Sequence, residues 1–243
     1  MDSGLLTPPV LVVSIIFGST LIRGAVGFGN ALVAMPLLIL VIGSDSATPL
    51  VALLGLVTAV LMLIREWRQI DLRAAWQLVL STLVGIPLGL YFLNAAPEVV
   101  IRWVLGLVLI AFGLYNLLGP RLPRVRGPWV TLIFGLCAGV LGGAYNSNGP
   151  PVVIYGVMRD WKPEQFRATL QGYFLVTGVA ITLGHGLAGM WTADVLRLFV
   201  FSLPAVLGAV LLGGWVADRI PEHRFQALVY GFLVVVGGLL ILA

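Results

Sequence analysis

Arg23, Asn30 and the run Tyr145-Asn146-Ser147-Asn148 stand out chemically because each lies within otherwise apolar sequence. All can donate hydrogen bonds, and among them only Arg23 carries a charge. A guanidinium inside a bilayer costs roughly 3 kcal/mol on insertion scales, so its presence usually marks a site. The alternatives for Arg23 are snorkelling toward the interface or pairing with a backbone carbonyl. Every Asp and Glu falls at or near a loop, which leaves no obvious carboxylate within a span to ligate a cation or relay protons. Donors and a cation without an acid favour an anionic ligand.

These residues sit in two stretches that match each other in one register. GAVGFGNALVAMPLLI (Gly24–Ile39) and GVLGGAYNSNGPPVVI (Gly139–Ile154) align at an offset of 115, pairing Gly24 with Gly139, Gly27 with Gly142 and Pro36 with Pro151. Each is apolar at both ends and interrupted by Gly, Asn and Pro. A broken hydrophobic segment in corresponding positions of two halves points to a transporter with its site at the repeat interface. Asn148-Gly149-Pro150-Pro151 reads as a helix start, with Asn148 as N-cap and Pro in the first turn, and Pro36 occupies the equivalent place. Two helices would then begin near mid-membrane and direct unpaired N–H groups and positive dipole ends inward. Gly27, Gly29, Gly142 and Gly143 permit non-helical backbone there, and Gly149 opens the second helix. The competing account of the glycines is tight packing between helices. For the Asn-Ser-Asn run, ligand binding is the favoured reading. Gln171, Tyr173 and Thr177, on the helix after the second break, are further candidates to line a cavity.

The elements that must position these groups are membrane helices. The chain is 60% hydrophobic and 10% charged, with a mean hydropathy of +1.06, whereas a soluble domain carries roughly a quarter charged residues. Apolar runs near twenty residues recur at Ala47–Ile64, Ala74–Leu93, Val99–Leu118, Ala168–Ala188, Val195–Ala217 and Phe225–Ala243. Each can cross a hydrocarbon core of roughly 30 Å as a helix. The start, Met1-Asp2-Ser3, lacks the basic region of a cleavable leader. One cysteine, Cys137, and two distant histidines, His185 and His223, provide neither a disulfide nor a metal motif. The pI of 9.6 reflects arginines at membrane edges rather than nucleic-acid binding.

Beyond the first segment the repeat continues at an offset of 123, pairing Gly55 with Gly178, Leu80 with Leu203 and Gly85 with Gly208. At 125, Gly106 pairs with Gly231 and Gly113 with Gly238. The widening implies an eight-residue insertion around Arg159–Phe166. Eleven of the fourteen Lys and Arg cluster in four loops, around Arg65–Arg73, Arg121–Arg126, Arg159–Arg167 and Arg219–Arg224. The positive-inside rule wants all four in the cytoplasm. Eight simple spans cannot satisfy it, but a broken segment that dips to mid-depth and returns can. Residues 128–157, about 30 in number, are long for one helix and short for two full spans. The alternative is one tilted, kinked span. The expected fold is therefore all-α and polytopic. Its two inverted-topology repeats, 1–120 and 121–243, each consist of a broken hairpin plus three transmembrane helices, with both termini outside. Arg102 and Arg197, a few residues inside their helices, are expected to snorkel.

On these residues the chain resembles the sulfite exporter TauE/SafE family, through Gly24–Pro36, the Gly142-Gly143…Asn148-Gly149-Pro150-Pro151 segment and the duplicated four-segment halves. The resemblance implies secondary transport of a small sulfur-containing or carboxylated anion, such as sulfite, sulfoacetate or a related organosulfonate, across the bacterial inner membrane. Phe28, Asn30 and Tyr145-Asn146-Ser147 depart from the family's more glycine-rich pattern. The site set is Arg23, Gly27, Gly29, Asn30, Gly143, Tyr145, Asn146, Ser147, Asn148, Gly149 and Gln171, with no cofactor. Expected partners are the small anion and membrane lipids, with a homodimer left open. The rival classes are an intramembrane hydrolase using Ser147 and His185, and a passive channel.

Overall fold

The computed structural model describes residues 7–66, 72–119, 127–159, 163–217, 219 and 222–242. The described residues form nine helices and no strand: α1 (Thr7–Val26), α2 (Asn30–Glu66), α3 (Leu72–Ala95), α4 (Glu98–Leu118), α5 (Pro128–Tyr145), α6 (Gly149–Met158), α7 (Pro163–Leu187), α8 (Ala193–Ala217) and α9 (Glu222–Leu242). Seven are long and apolar enough to cross a membrane. Large apolar side chains stand exposed along them, among them Val84, Leu88 and Tyr91 on α3 and Val200, Phe201 and Leu211 on α8. Water would penalise such continuous patches, whereas lipid tails accept them. Trp76, Trp103, Trp129, Trp191 and Trp215 are exposed toward helix ends, where amphipathic rings meet the headgroups. This is a multi-pass helical membrane protein.

Two places break the helical pattern in each half. α2 is really two helices, 30–42 and 44–66, meeting at Gly43 with φ 74° and ψ 166°. The first arm is about 20 Å long and α6 about 15 Å, too short to cross, while α1 and α5 run for about 30 and 27 Å. The arm after each break is therefore too short to cross a bilayer, and the two arms differ in length. Where the first half turns on Gly43 alone, the second ends α6 at Met158 and restarts at Pro163.

The most extensive helix contacts are α3 with α5, α1 with α8 and α4 with α9. Backbones meet at small residues. A methyl on Gly85 would lie 2.5 Å from the Leu136 carbonyl, and one on Gly213 2.8 Å from Gly24 Cα. Along α4, Gly106 faces Gly237 and Ile241 while Gly113 faces Val234 and Tyr230, so α4 and α9 run antiparallel. α3 meets α5 with rising numbers on both helices, Gly85 at Gly139 and Gly89 at Ala144, so that pair is parallel.

Among the basic groups, Arg68, Arg121, Arg124, Arg126 and Lys162 lie outside the described residues. Arg219 is exposed, with its guanidinium 3.9 Å from the Trp215 ring centre. Arg102, expected to snorkel, pairs with Glu98 one turn earlier, at the first residue of α4, at 2.9 Å. Arg197 lies over the Phe201 ring at 5.8 Å.

Candidate functional site

The first break is Gly27-Phe28-Gly29. Gly27 and Gly29 hold φ of 93° and 97°, a region that side chains resist. The Gly27 N–H donates to the Arg23 carbonyl at 2.7 Å, closing α1. α2 then starts at Asn30, so Pro36 sits inside the helix rather than at its first turn. The helix thus starts four residues before Ala34, the position that the match pairs with Gly149, the first residue of α6.

The second break is Asn146-Ser147-Asn148. Asn146 is left-handed with φ 54°, and its N–H and that of Ser147 return to the Gly142 and Leu141 carbonyls at 2.9 and 3.1 Å. The Asn146 bond is the 5→1 bond of the αL motif, and both satisfy helix-end carbonyls. Asn148 holds the N-cap position of α6 but with αR backbone and no side-chain cap bond. Its amide instead donates to Thr177 Oγ1 on α7 at 3.1 Å. Capping requires extended backbone to bring the side chain over the helix end, and Asn148 does not adopt it. Pro150 and Pro151 do lie in the first turn, but they carry no N–H. α6 therefore offers fewer donors than a helix start normally does.

The other half holds each break in place. Gln171 on α7 donates through Nε2 to the Gly27 carbonyl, and Asn146 Nδ2 donates to the Thr48 carbonyl on α2 at 2.7 Å. Thr48 and Gln171 are equivalent under the 123-residue offset. Arg23 is 4% exposed. Its Nη1 donates to Asn30 Oδ1 at 3.4 Å and the Gly55 carbonyl at 3.2 Å, and its Nη2 to Gln171 Oε1 at 2.9 Å. The guanidinium carbon lies 5.3 Å from the Phe174 ring centre, and Nε has no partner. Every partner of this cation among the described residues is neutral, and none of the described residues lining the adjoining space is a carboxylate.

That space is a cavity of about 50 Å³ bounded by both breaks. At about 10–15 Å³ per enclosed water it holds a few waters or one compact oxyanion. Of the expected set, Arg23, Gly29, Asn30, Asn146, Ser147, Asn148 and Gly149 line it. Gly27 and Gln171 stand behind, tying the first break to Arg23. Gly143 and Tyr145 face elsewhere. Gly143 packs on α3 against the Ile86 carbonyl, and the buried Tyr145 ring meets Phe92 at 6.3 Å. Sequence reasoning missed the wall formed by Val51, Ala52, Gly55, Phe174, Gly178 and Ile181, midway along the second arm of α2 and along α7. A signal was present, since Gly55 and Gly178 are repeat partners.

Ser147 and His185 do not form a catalytic pair. Ser147 Oγ donates to the Tyr145 carbonyl at 3.1 Å. His185 Nε2 lies 3.2 Å from the Gly143 carbonyl and its Nδ1 has no partner. Thr177 and Tyr173 are buried. Tyr173 bonds Thr82 at 2.8 Å, away from the cavity lining. Among the described residues no group of three or more His, Cys, Asp or Glu could hold a metal.

A buried cation beside neutral polar groups, in a small cavity between two broken helices, is suited to holding an anion. Comparison with known proteins points the same way. A curated protein of Cupriavidus necator, "Probable sulfite/organosulfonate exporter TauE", is 25% identical over 248 residues, covering 100% of this chain and 97% of that protein. No solved structure gives a significant match. The family model for sulfite exporter TauE/SafE matches residues 11–240, nearly the whole length, and the chain belongs to that family of exporters, which is not an enzyme class.

Proposed function

We propose that this protein is a secondary transporter of a small sulfur-containing or organic anion, such as sulfite, sulfoacetate or a related organosulfonate, and that it works by alternating access in the bacterial inner membrane. The observation that carries this reading is Arg23, a buried charge with neutral partners only, at the wall of a cavity midway along the long helices. A buried charge left uncompensated is strongly destabilising, and a bound anion supplies the missing partner. The name of the Cupriavidus relative supports the sulfur-containing class. An inverted pair of halves is supported by the antiparallel α4–α9 contact. Exchanging Gly106 and Gly113 for their repeat partners Gly231 and Gly238 reproduces that contact to within one residue.

Calorimetry on the purified protein tests the charge requirement. Methanesulfonate and sulfoacetate should bind and methanesulfonamide should not, and taurine should bind more weakly because its amine finds no carboxylate. Equal affinity for the sulfonate and the sulfonamide would remove the electrostatic basis of the reading. Single-cysteine labelling in a Cys137→Ser background tests the inversion. Arg124→Cys and Lys162→Cys should both react only from the cytoplasmic side; external labelling of Lys162→Cys alone would refute it.

A further inference from the structure

We propose that the protein is an obligatory anion exchanger, in which the site passes between the two sides only when an anion occupies it. This deepens the anion-site reading and rests on it. The inference starts from what the empty site must contain. Arginine keeps its proton in proteins, whereas a lysine or a carboxylate at such a place could shed or take up a proton and become neutral. The empty carrier therefore cannot discharge Arg23. Nor do the described residues around the cavity supply a counter-charge. Asn30, Gly55 and Gln171 are neutral, and the rest of the lining is apolar or uncharged.

An open site solvates the cation with bulk water. In the conformation described, the space beside the cation already admits only a few waters, and Nε lacks a partner. Occlusion without an anion therefore isolates a charge, and occlusion with one buries a neutral pair. The loaded carrier crosses readily and the empty carrier does not. Outward movement of one anion is thereby tied to the return of another.

Asn30 shows how the device could be disarmed. Its Oδ1 lies 3.4 Å from Arg23 Nη1, so Asn30→Asp would place a carboxylate beside the cation, whose positive charge favours the ionised form. The experiment uses the whole protein in liposomes with the membrane potential clamped, following entry of radiolabelled sulfite. Vesicles preloaded with unlabelled sulfite should take up label at least about tenfold faster than vesicles holding zwitterionic buffer. In Asn30→Asp the stimulation should fall to about twofold or less, with sulfite affinity reduced at least about tenfold. Equal uptake by loaded and empty wild-type vesicles, with sulfite binding intact by calorimetry, would overturn the exchange inference and leave the anion site standing. Stimulation that persists undiminished in Asn30→Asp would also overturn it, because the cause would not be Arg23. Absence of sulfite binding in the wild type would instead overturn the site reading beneath it.

Discussion

The two broken segments perform one backbone task with different chemistry. Both stop a helix beside the cavity and start another, and each is tied to the opposite half at equivalent positions, Gln171 and Thr48. The first break uses two positive-φ glycines and exposes no polar side chain of its own. Its contribution is the charge of Arg23 and the helix start at Asn30. The second break puts Asn146 in the left-handed region, a conformation Asn tolerates better than most side chains. It surrounds the cavity with three neutral polar groups. Position 138, equivalent to Arg23, is the fully buried Ala138. Charge thus reaches the cavity from Arg23 beside the first break, and neutral polar groups reach it from Asn30 and from the second break. Pro150 and Pro151 make that division necessary, since a helix start with two prolines has few N–H groups left to offer.

The largest expected effect follows from the charge. Arg23→Gln should weaken sulfite binding by about a hundredfold or more, because it removes a buried pair whose loss costs about 3–5 kcal/mol. Asn148→Ala should cost about tenfold, the range for a hydrogen bond to a charged group. Thr177→Val should cost less than Asn148→Ala, since it only frees the Asn148 amide that Thr177 holds at 3.1 Å. Calorimetry on the three variants gives the order. If Asn148→Ala costs as much as Arg23→Gln, the division of labour between the breaks is wrong.

Much of this arrangement was legible before the structure, for identifiable reasons. Spans near twenty residues show in composition because lipid requires nearly every side chain to be apolar, as along Val195–Ala217. The breaks show because Gly, Asn and Pro interrupt that composition twice at one offset. What stayed hidden depends on distant contacts. The orientation of Gln171 follows from how α7 packs on a segment 144 residues earlier in the chain, and no local pattern encodes it. Asn148 looked like a cap because Asn before Gly-Pro-Pro often is one. Thr177, 29 residues away, offers its amide another partner. Pro36 misled in the opposite sense. The repeat match suggested a helix start at the proline, but local glycine geometry had already turned the chain at Gly27 and Gly29. Tyr145 belonged to the polar run by sequence, yet its place on the last turn of α5 points the ring at Phe92.

The smallest expected effect tests whether the two backbones are truly built differently. At Gly29 an added methyl would meet no atom within 4 Å, so space is not the constraint; φ of 97° is. Gly29→Ala should therefore destabilise the protein by about 1–3 kcal/mol, the cost of holding a side chain in a sparsely populated region. At Asn146 the opposite exchange is close to neutral. Asn146→Gly relieves a left-handed side chain at φ 54° but loses the 2.7 Å bond to the Thr48 carbonyl, and two terms of about 1 kcal/mol each nearly cancel. Thermal unfolding in detergent should thus separate the variants, with a clear drop for Gly29→Ala and almost no change for Asn146→Gly. A large loss in Asn146→Gly would mean that the tie to Thr48 holds the second break in place far more strongly than one hydrogen bond warrants. The first break, pinned to Gln171 through its Gly27 carbonyl, would then be the more weakly tied of the two.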